Sequence, residues 1–304
     1  MGFIPTFFYD SEGKMDYDAF DRSLYIEMVG HENHIPTVYL DRKGIPTIGC
    51  GYALFDGGPG KYYLKKTIKQ DFDVIGKAFT SKDIAYLKEI CNILNKSGPQ
   101  EVKKIFRSAN VSMRITVDTV NGIPSESKRL FEHVIIRYKN EIKRRIGKGI
   151  YMKYQYTHQM IALISMVYNG GIRTIGPNML QAIQNDDILR MWYELRYRTN
   201  PDSNADAQAD IASRRYSESQ QIIPYYSFRN DLTGFGGCYN FSGGKVQEFI
   251  NFLNNPDPYE SSKSTLDTIR EYENRFAPSV VNGEDKPIDQ LIGHIQVNYS
   301  QIQP

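Results

Sequence analysis

The stretch Gly30-His-Glu-Asn-His-Ile-Pro-Thr-Val-Tyr-Leu-Asp-Arg-Lys-Gly-Ile-Pro-Thr-Ile-Gly-Cys-Gly-Tyr52 is where the chain changes period. Ahead of it, Tyr17, Phe20, Leu24 and Met28 recur at helical spacing, and Gly30 stands where a helix would stop. This predicts a first helix over Asp16–Val29. Beyond it Val38 and Leu40 alternate as on a strand. Asp41-Arg-Lys-Gly44 reads as a turn, and Ile45 to Gly51 as the return strand. Pro46 suits an edge position only. The expectation is a small, exposed β-hairpin over residues 35–52 rather than a large sheet.

From residue 59 the pattern is mostly helical. Ser81–Lys96 carries Ile84, Leu87, Ile90 and Leu94 on one face, with Ser81 as the expected N-cap. Gly98-Pro99 precedes a short helix up to Phe106, and residues 109–122 read as extended. Ser125–Ile146 is strongly amphipathic, with Arg137, Lys139, Lys143, Arg144 and Arg145 on its polar face. That basic face reads as solvated, with attraction to an anionic surface as the alternative. Thr157–Tyr168 is the most apolar segment and predicts a buried central helix closed by Asn169-Gly170-Gly171. Helices follow at Met179–Gln184, Asp187–Tyr197 and Asp210–Ile223, with a polar loop at Asn200–Gln208. Residues 225–244 gather six aromatics and five glycines, and short helices are expected near Lys245–Leu253 and Ser264–Phe276.

The chain has 304 residues, 40% of them hydrophobic and 24% charged, which excludes a mainly disordered chain. A formal net charge of +2 gives no nucleic-acid footprint. The longest apolar run, Met160–Val167, is far short of a membrane span of roughly 20 residues, so no stable membrane insertion is expected. MGFIPTFFYDSEGK has neither a basic n-region nor an apolar h-region, which predicts synthesis in the cytoplasm without a signal peptide. Cys50, Cys91 and Cys238 stand at unrelated spacings and form neither a disulfide framework nor a metal site.

Two carboxyls in the opening stretch are placed for chemistry. Glu32 follows a helix end, where the negative end of the dipole disfavours ionisation, so it suits a general acid. Asp41, beside the polar Arg42-Lys43 turn, is expected to stay ionised. Two carboxyls with divergent proton affinities are what glycoside hydrolysis requires. On spacing alone, a Glu and an Asp nine residues apart are more commonly solvated surface charges. Cys50 with His31 or His34 is an alternative nucleophile and base, but a strand flanked by glycines does not lower a thiol's pKa as a helix N-terminus does. His31 and His34 also read as solvated loop residues or as neighbours tuning Glu32.

The segment resembles the active-site signature of the phage-type lysozymes, family twenty-four of the glycoside hydrolases. That family carries a Glu at the end of its first helix, an Asp nine residues on, a Thr six further, and a Thr-Ile-Gly-x-Gly run. These fall on Glu32, Asp41 and Thr47, with Thr47-Ile-Gly-Cys-Gly51 as the run. Tyr52 stands where the family usually has His. Ser125–Phe131 resembles the helix opening the family's helical lobe. Ala162–Gly171 resembles its buried helix, with Asn169 in the Asn-x-Gly-type end. Arg214-Arg215-x-x-Glu218 resembles the helix whose guanidinium approaches the catalytic Glu. The resemblance covers roughly residues 16–55 and 115–223.

The resemblance implies a mostly helical α+β, lysozyme-like fold. Residues 1–224 would form the catalytic domain: a small lobe at about 30–58, an inserted helical segment at about 60–112 and a helical lobe at about 113–224. Residues 225–304 would be an extension packed on that lobe. The implied activity is hydrolysis of the β-1,4 bond between N-acetylmuramic acid and N-acetylglucosamine in peptidoglycan, by an inverting route. Glu32 would be the acid, and Asp41 and Thr47 would handle the water. Arg214, Arg215, Tyr52 and Asn169 would support the site, with no cofactor and no metal. Peptidoglycan would be the partner of a monomer acting in the periplasm or outside the producing cell, as a phage lysin or an antibacterial effector. An immunity protein or a delivery or tail component are further expected partners. Other readings are a lytic transglycosylase and a non-catalytic wall-binding or tail structural module.

Overall fold

The computed structural model describes residues 7–32, 34–120, 122–199, 205–222, 243–280, 288–289 and 292–293. Helix accounts for 62% of it and the strands form a small antiparallel sheet, which makes the class α+β and mostly helical. The chain divides into two units, residues 21–139 and residues 1–20 with 140–304. The aromatic and glycine-rich stretch up to residue 242, Cys238 and the loop at 200–204 lie outside the described residues.

In the 21–139 unit, helix α1 (Tyr17–His31) leads into β1 (His34–Leu40), β2 (Pro46–Cys50) and β3 (Tyr52–Ala53), in sheet order β1-β2-β3. The helix runs past Gly30 because the ladder is not broken there, and the Glu32 amide still donates to the Met28 carbonyl at 2.8 Å. Pro46 is not on an edge: β2 is the central strand. It is tolerated as the strand's first residue, opposite Leu40, where the missing N–H interrupts no inner rung. Val38 and Ile48 are fully buried on this sheet.

A second hairpin, β4 (Phe55–Asp56) with β5 (Tyr63–Leu64), was not expected from sequence, since two-residue strands carry no periodic signal. Helices α2 (Ile68–Asp73), α3 (Ser81–Ser97) and α4 (Pro99–Ile105) follow. The N-cap of α3 is Thr80 rather than Ser81. Thr80 and Asp83 form a reciprocal capping box, so Ser81 falls at the first helical position. Residues 109–122, read as extended, begin in a 3₁₀ turn over Ser108–Asn110, and their described remainder holds isolated bridges, including Thr37 with Arg114. Leu87, Ile90 and Leu94 of α3 are buried. The unit also takes in most of α5 (Glu126–Ile146), which buries Leu130, Phe131, Val134 and Ile135.

The other unit is built around α7 (His158–Gly170), in which every residue from Gln159 to Val167 is buried. A helix buried all round has no solvent face to offer, and its polar Gln159 and Ser165 donate to the Ile222 carbonyl and the Glu218 carboxylate. Thr157 caps it by accepting from the Met160 amide, and Gly171 ends it at φ 76°. Against it lies α10 (Ala205–Ile222), and α10 in turn packs on α12 (Thr265–Val280). The remaining helices are α6 (Lys148–Tyr154), α8 (Pro177–Gln184), α9 (Ile188–Tyr193) with a π-helical turn over Glu194–Arg198, and α11 (Gly243–Asn254). Edge-to-face aromatic pairs tie α9 and its π turn to the last two helices: Trp192 with Phe249 at 5.4 Å and Tyr197 with Tyr272 at 5.4 Å. The buried Glu273 carboxylate accepts from the hydroxyls of Tyr197 (3.0 Å) and Tyr216 (2.9 Å) and from the Ile288 amide (2.8 Å).

Candidate active site

Glu32, Asp41 and Thr47 all belong to the 21–139 unit. Glu32 is the first residue after α1, half-buried, and its side chain lies against the backbone of Gly51. A Cβ at Gly51 would stand 2.6 Å from Glu32 Oε2, and the residue adopts φ +67°. Only glycine meets both conditions. Gly49, at φ +61°, clears room in the same way: a Cβ there would meet Ser127 Oγ at 2.9 Å. That hydroxyl accepts the Cys50 amide at 3.2 Å. The Gly-Cys-Gly run therefore seats Glu32 on one side and the start of α5 on the other.

Asp41 opens the β1–β2 turn. Its amide donates to the Ile45 carbonyl at 3.0 Å, and its carboxylate accepts from the Ile45 amide at 2.7 Å. Folding the carboxyl back onto its own turn takes it partly out of water. Burial therefore pushes Asp41 above the ordinary carboxylate range, and the Glu32 charge adds to the rise. The Ile45 and Lys43 amides and the Lys43 ammonium oppose it. Thr47 is buried in β2, and its hydroxyl donates to the Ile45 carbonyl at 3.0 Å, which leaves its lone pairs available as acceptors.

Tyr52 lies buried in β3. It is 3% exposed, and its hydroxyl donates to Asp71 Oδ2 at 2.6 Å. Asp71 is fully buried and also accepts from Thr67 (2.8 Å) and from Arg137, with His133 Nε2 at 3.3 Å. Lys65 lies 4.4 Å over the Tyr52 ring, and burial lowers its ammonium below the ordinary lysine range. Arg137 is thus committed to a buried carboxylate rather than spread on a solvated basic face. His31 shares a hydrogen bond with Glu27 at 2.8 Å, and His34 with the Tyr25 hydroxyl at 2.9 Å.

Arg214, Arg215 and Asn169 lie in the other unit. There Arg214 Nε donates to Glu218 Oε1 at 2.9 Å, Arg215 pairs with Glu218, and Arg215 Nη2 donates to Asn169 Oδ1 at 3.4 Å. Ser165 of α7 donates to the same carboxylate at 2.6 Å. Burial alone would raise Glu218, but Arg215 and Arg214 together hold it below the ordinary glutamate range.

Sequence reading missed Tyr62. The Asn95 amide group grips its backbone on both sides, with Tyr62 N donating at 2.7 Å and Tyr62 O accepting at 2.8 Å. Its hydroxyl is raised, first by burial and then by the Asp41 charge, which places it in the electrostatic neighbourhood of Asp41. Nothing local marks it, because the relationship spans the hairpin and the segment at 60–112. Among the described residues no group of three or more His, Cys, Asp or Glu could hold a metal ion. None of the described helices is long and apolar enough to cross a membrane. No protein-family model matches the chain, and no curated protein is detectably similar to it in sequence.

Proposed function

We propose that this chain is a muramidase that hydrolyses the β-1,4 bond between N-acetylmuramic acid and N-acetylglucosamine. The observation that carries the reading is the pairing of Glu32 and Asp41. The two carboxyls stand on consecutive segments of one unit, within electrostatic reach of each other, with Asp41 raised chiefly by burial and Glu32 held over Gly51. Glu32 gives its proton to the glycosidic oxygen as the anomeric C–O bond breaks. A water attacks the anomeric carbon from the opposite face and passes a proton to Asp41, whose raised proton affinity makes it a better base than an ordinary carboxylate. The Thr47 hydroxyl, its hydrogen engaged by the Ile45 carbonyl, accepts a hydrogen bond from that water. The reading places the enzyme at the cell wall, in lysis by a phage or attack by a competitor.

Purified peptidoglycan decides the matter. The expected products are reducing N-acetylmuramic acid ends with inverted anomeric configuration, and loss of wall turbidity that disappears in Glu32→Gln. Anhydro-muramic ends would replace hydrolysis with transglycosylation. Walls that bind the protein but stay intact would leave a binding module in place of the enzyme.

A further inference from the structure

The 140–304 unit contains a cavity of about 360 Å³ that the wall-hydrolysis reading does not use. That volume lies within the range of small-molecule sites. Its lining includes Arg173, Arg198, Glu194, Thr174, Asn178 and Thr199. Arg173 and Arg198 are both exposed on its rim, and among the described residues neither forms an ion pair. Arg198 is instead steadied by the Tyr259 ring, 4.3 Å from its guanidinium carbon. The first turn of α8, Gly176–Met179, also lines the cavity, with no side chain capping its amides. Two guanidiniums that form no ion pair among the described residues, with neutral donors beside them and Glu194 as the carboxyl in the same lining, make an anion cradle whose charge turns on Glu194.

We propose that this cavity binds a small ligand through an oxyanion group, a phosphate ester or a carboxylate, held between Arg173 and Arg198. The first turn of α8 adds amide donors, a helix end that favours negative charge. Glu194 is the gate. It is 4% exposed and accepts a hydrogen bond from the Tyr259 hydroxyl. Burial raises it to about 7 against the pull of Arg190 and Arg198, and Asp257 adds to the rise. An ionised Glu194 repels an incoming anion, whereas a protonated one admits it. Binding therefore tightens as the pH falls through about 7.

The test is calorimetric titration of the whole chain with sulfate, standing for phosphate esters, and with oxalate, standing for carboxylates. Both keep a constant charge between pH 6 and pH 8, so any pH dependence belongs to the protein. At least one should bind, severalfold more tightly at pH 6 than at pH 8, and the tighter of the two identifies the oxyanion class. Arg173→Gln and Arg198→Gln should each weaken binding by about tenfold or more. Glu194→Gln, which keeps its oxygen for Tyr259, should bind at pH 8 as the native chain does at pH 6. Failure of both anions to bind at millimolar concentration overturns the proposal. Binding indifferent to both arginine variants also overturns it, since the anion then sits elsewhere. Wall hydrolysis is a separate measurement, and either reading can fail alone.

Discussion

Glu32 rests on Gly51 so closely that no other residue fits at position 51 without displacing the carboxyl. The contact joins the end of α1 to the end of β2 and seats the Glu32 carboxyl against the backbone. An acid positioned this way is sensitive to small backbone changes, because a displacement of about 1 Å can cost about 10²-fold in rate.

Glu32→Gln should therefore abolish wall hydrolysis by about 10²–10⁴-fold while leaving the melting temperature unchanged. Gly51→Ala should fail on both counts. It pushes a methyl into Glu32 and forces a non-glycine residue to φ +67°, at about 1–2 kcal/mol. Turbidity loss and thermal melting measured on both variants check the pair. An active Gly51→Ala variant would show that Glu32 is not held for catalysis.

Asp41 carries an opposite combination. Its proton affinity is raised in the folded state, so native stability falls as pH climbs from the unfolded aspartate range to the folded value, and stays lower above it. Asp41→Asn cannot ionise and escapes that loss, while its amide oxygen can still accept from Ile45. It should lose activity by at least about 10²-fold yet melt no lower than the native chain at pH 7. The difference in melting temperature should shrink toward pH 4. A variant clearly less stable at neutral pH would contradict the burial argument.

Asp71 is the corresponding structural test in the same unit. It is fully buried and receives Tyr52, Thr67 and Arg137. Asp71→Ala should destabilise by about 2–4 kcal/mol, because it leaves the Tyr52 and Thr67 hydroxyls without their acceptor and unpairs an Arg137 whose charge water still screens in part. Tyr52→Phe removes one hydrogen bond to a charged group and should cost about 1–3 kcal/mol. Denaturant unfolding measures both. Activity per folded molecule should be untouched in Tyr52→Phe, which would separate this position from the supporting role that the resemblance implies for it.

These cases show where sequence reading works and where it ends. The central helix at 158–170 was legible because its apolar run is too long and too complete for a half-exposed element. The β1–β2 hairpin was legible from its alternation and its Asp41–Gly44 turn. Pro46 was misplaced because sequence does not show that the short β3 would pair on the far side of β2. Asp71, 66 residues before Arg137, and Tyr62, held by Asn95, depend on contacts between distant segments and leave no local periodicity. Glu194 was invisible for the same reason, since its raised affinity comes from burial in the fold, where the distant Tyr259 hydroxyl donates to it, and not from its neighbours in sequence.

Arg214 and Arg215 stood out in the sequence as a pair, and the structure joins both to Glu218. Glu218 is fully buried, and its folded proton affinity is lowered by the two guanidiniums. Its contribution is therefore present above the unfolded glutamate range and is lost as pH falls through the lower folded value. Glu218→Gln should destabilise by about 3–5 kcal/mol at neutral pH, since two arginines lose the charge they face in a buried setting. The native chain should lose stability on acidification and approach the variant, whose own acid slope is shallower by one titrating group. Thermal melts of both proteins from neutral pH down to about pH 3 test this, with one unfolded glutamate near 4.3 setting where the curves begin to converge. Parallel curves over that range would mean that Glu218 is not ionised in the fold, and the pairing with Arg214 and Arg215 would have to be neutral hydrogen bonding.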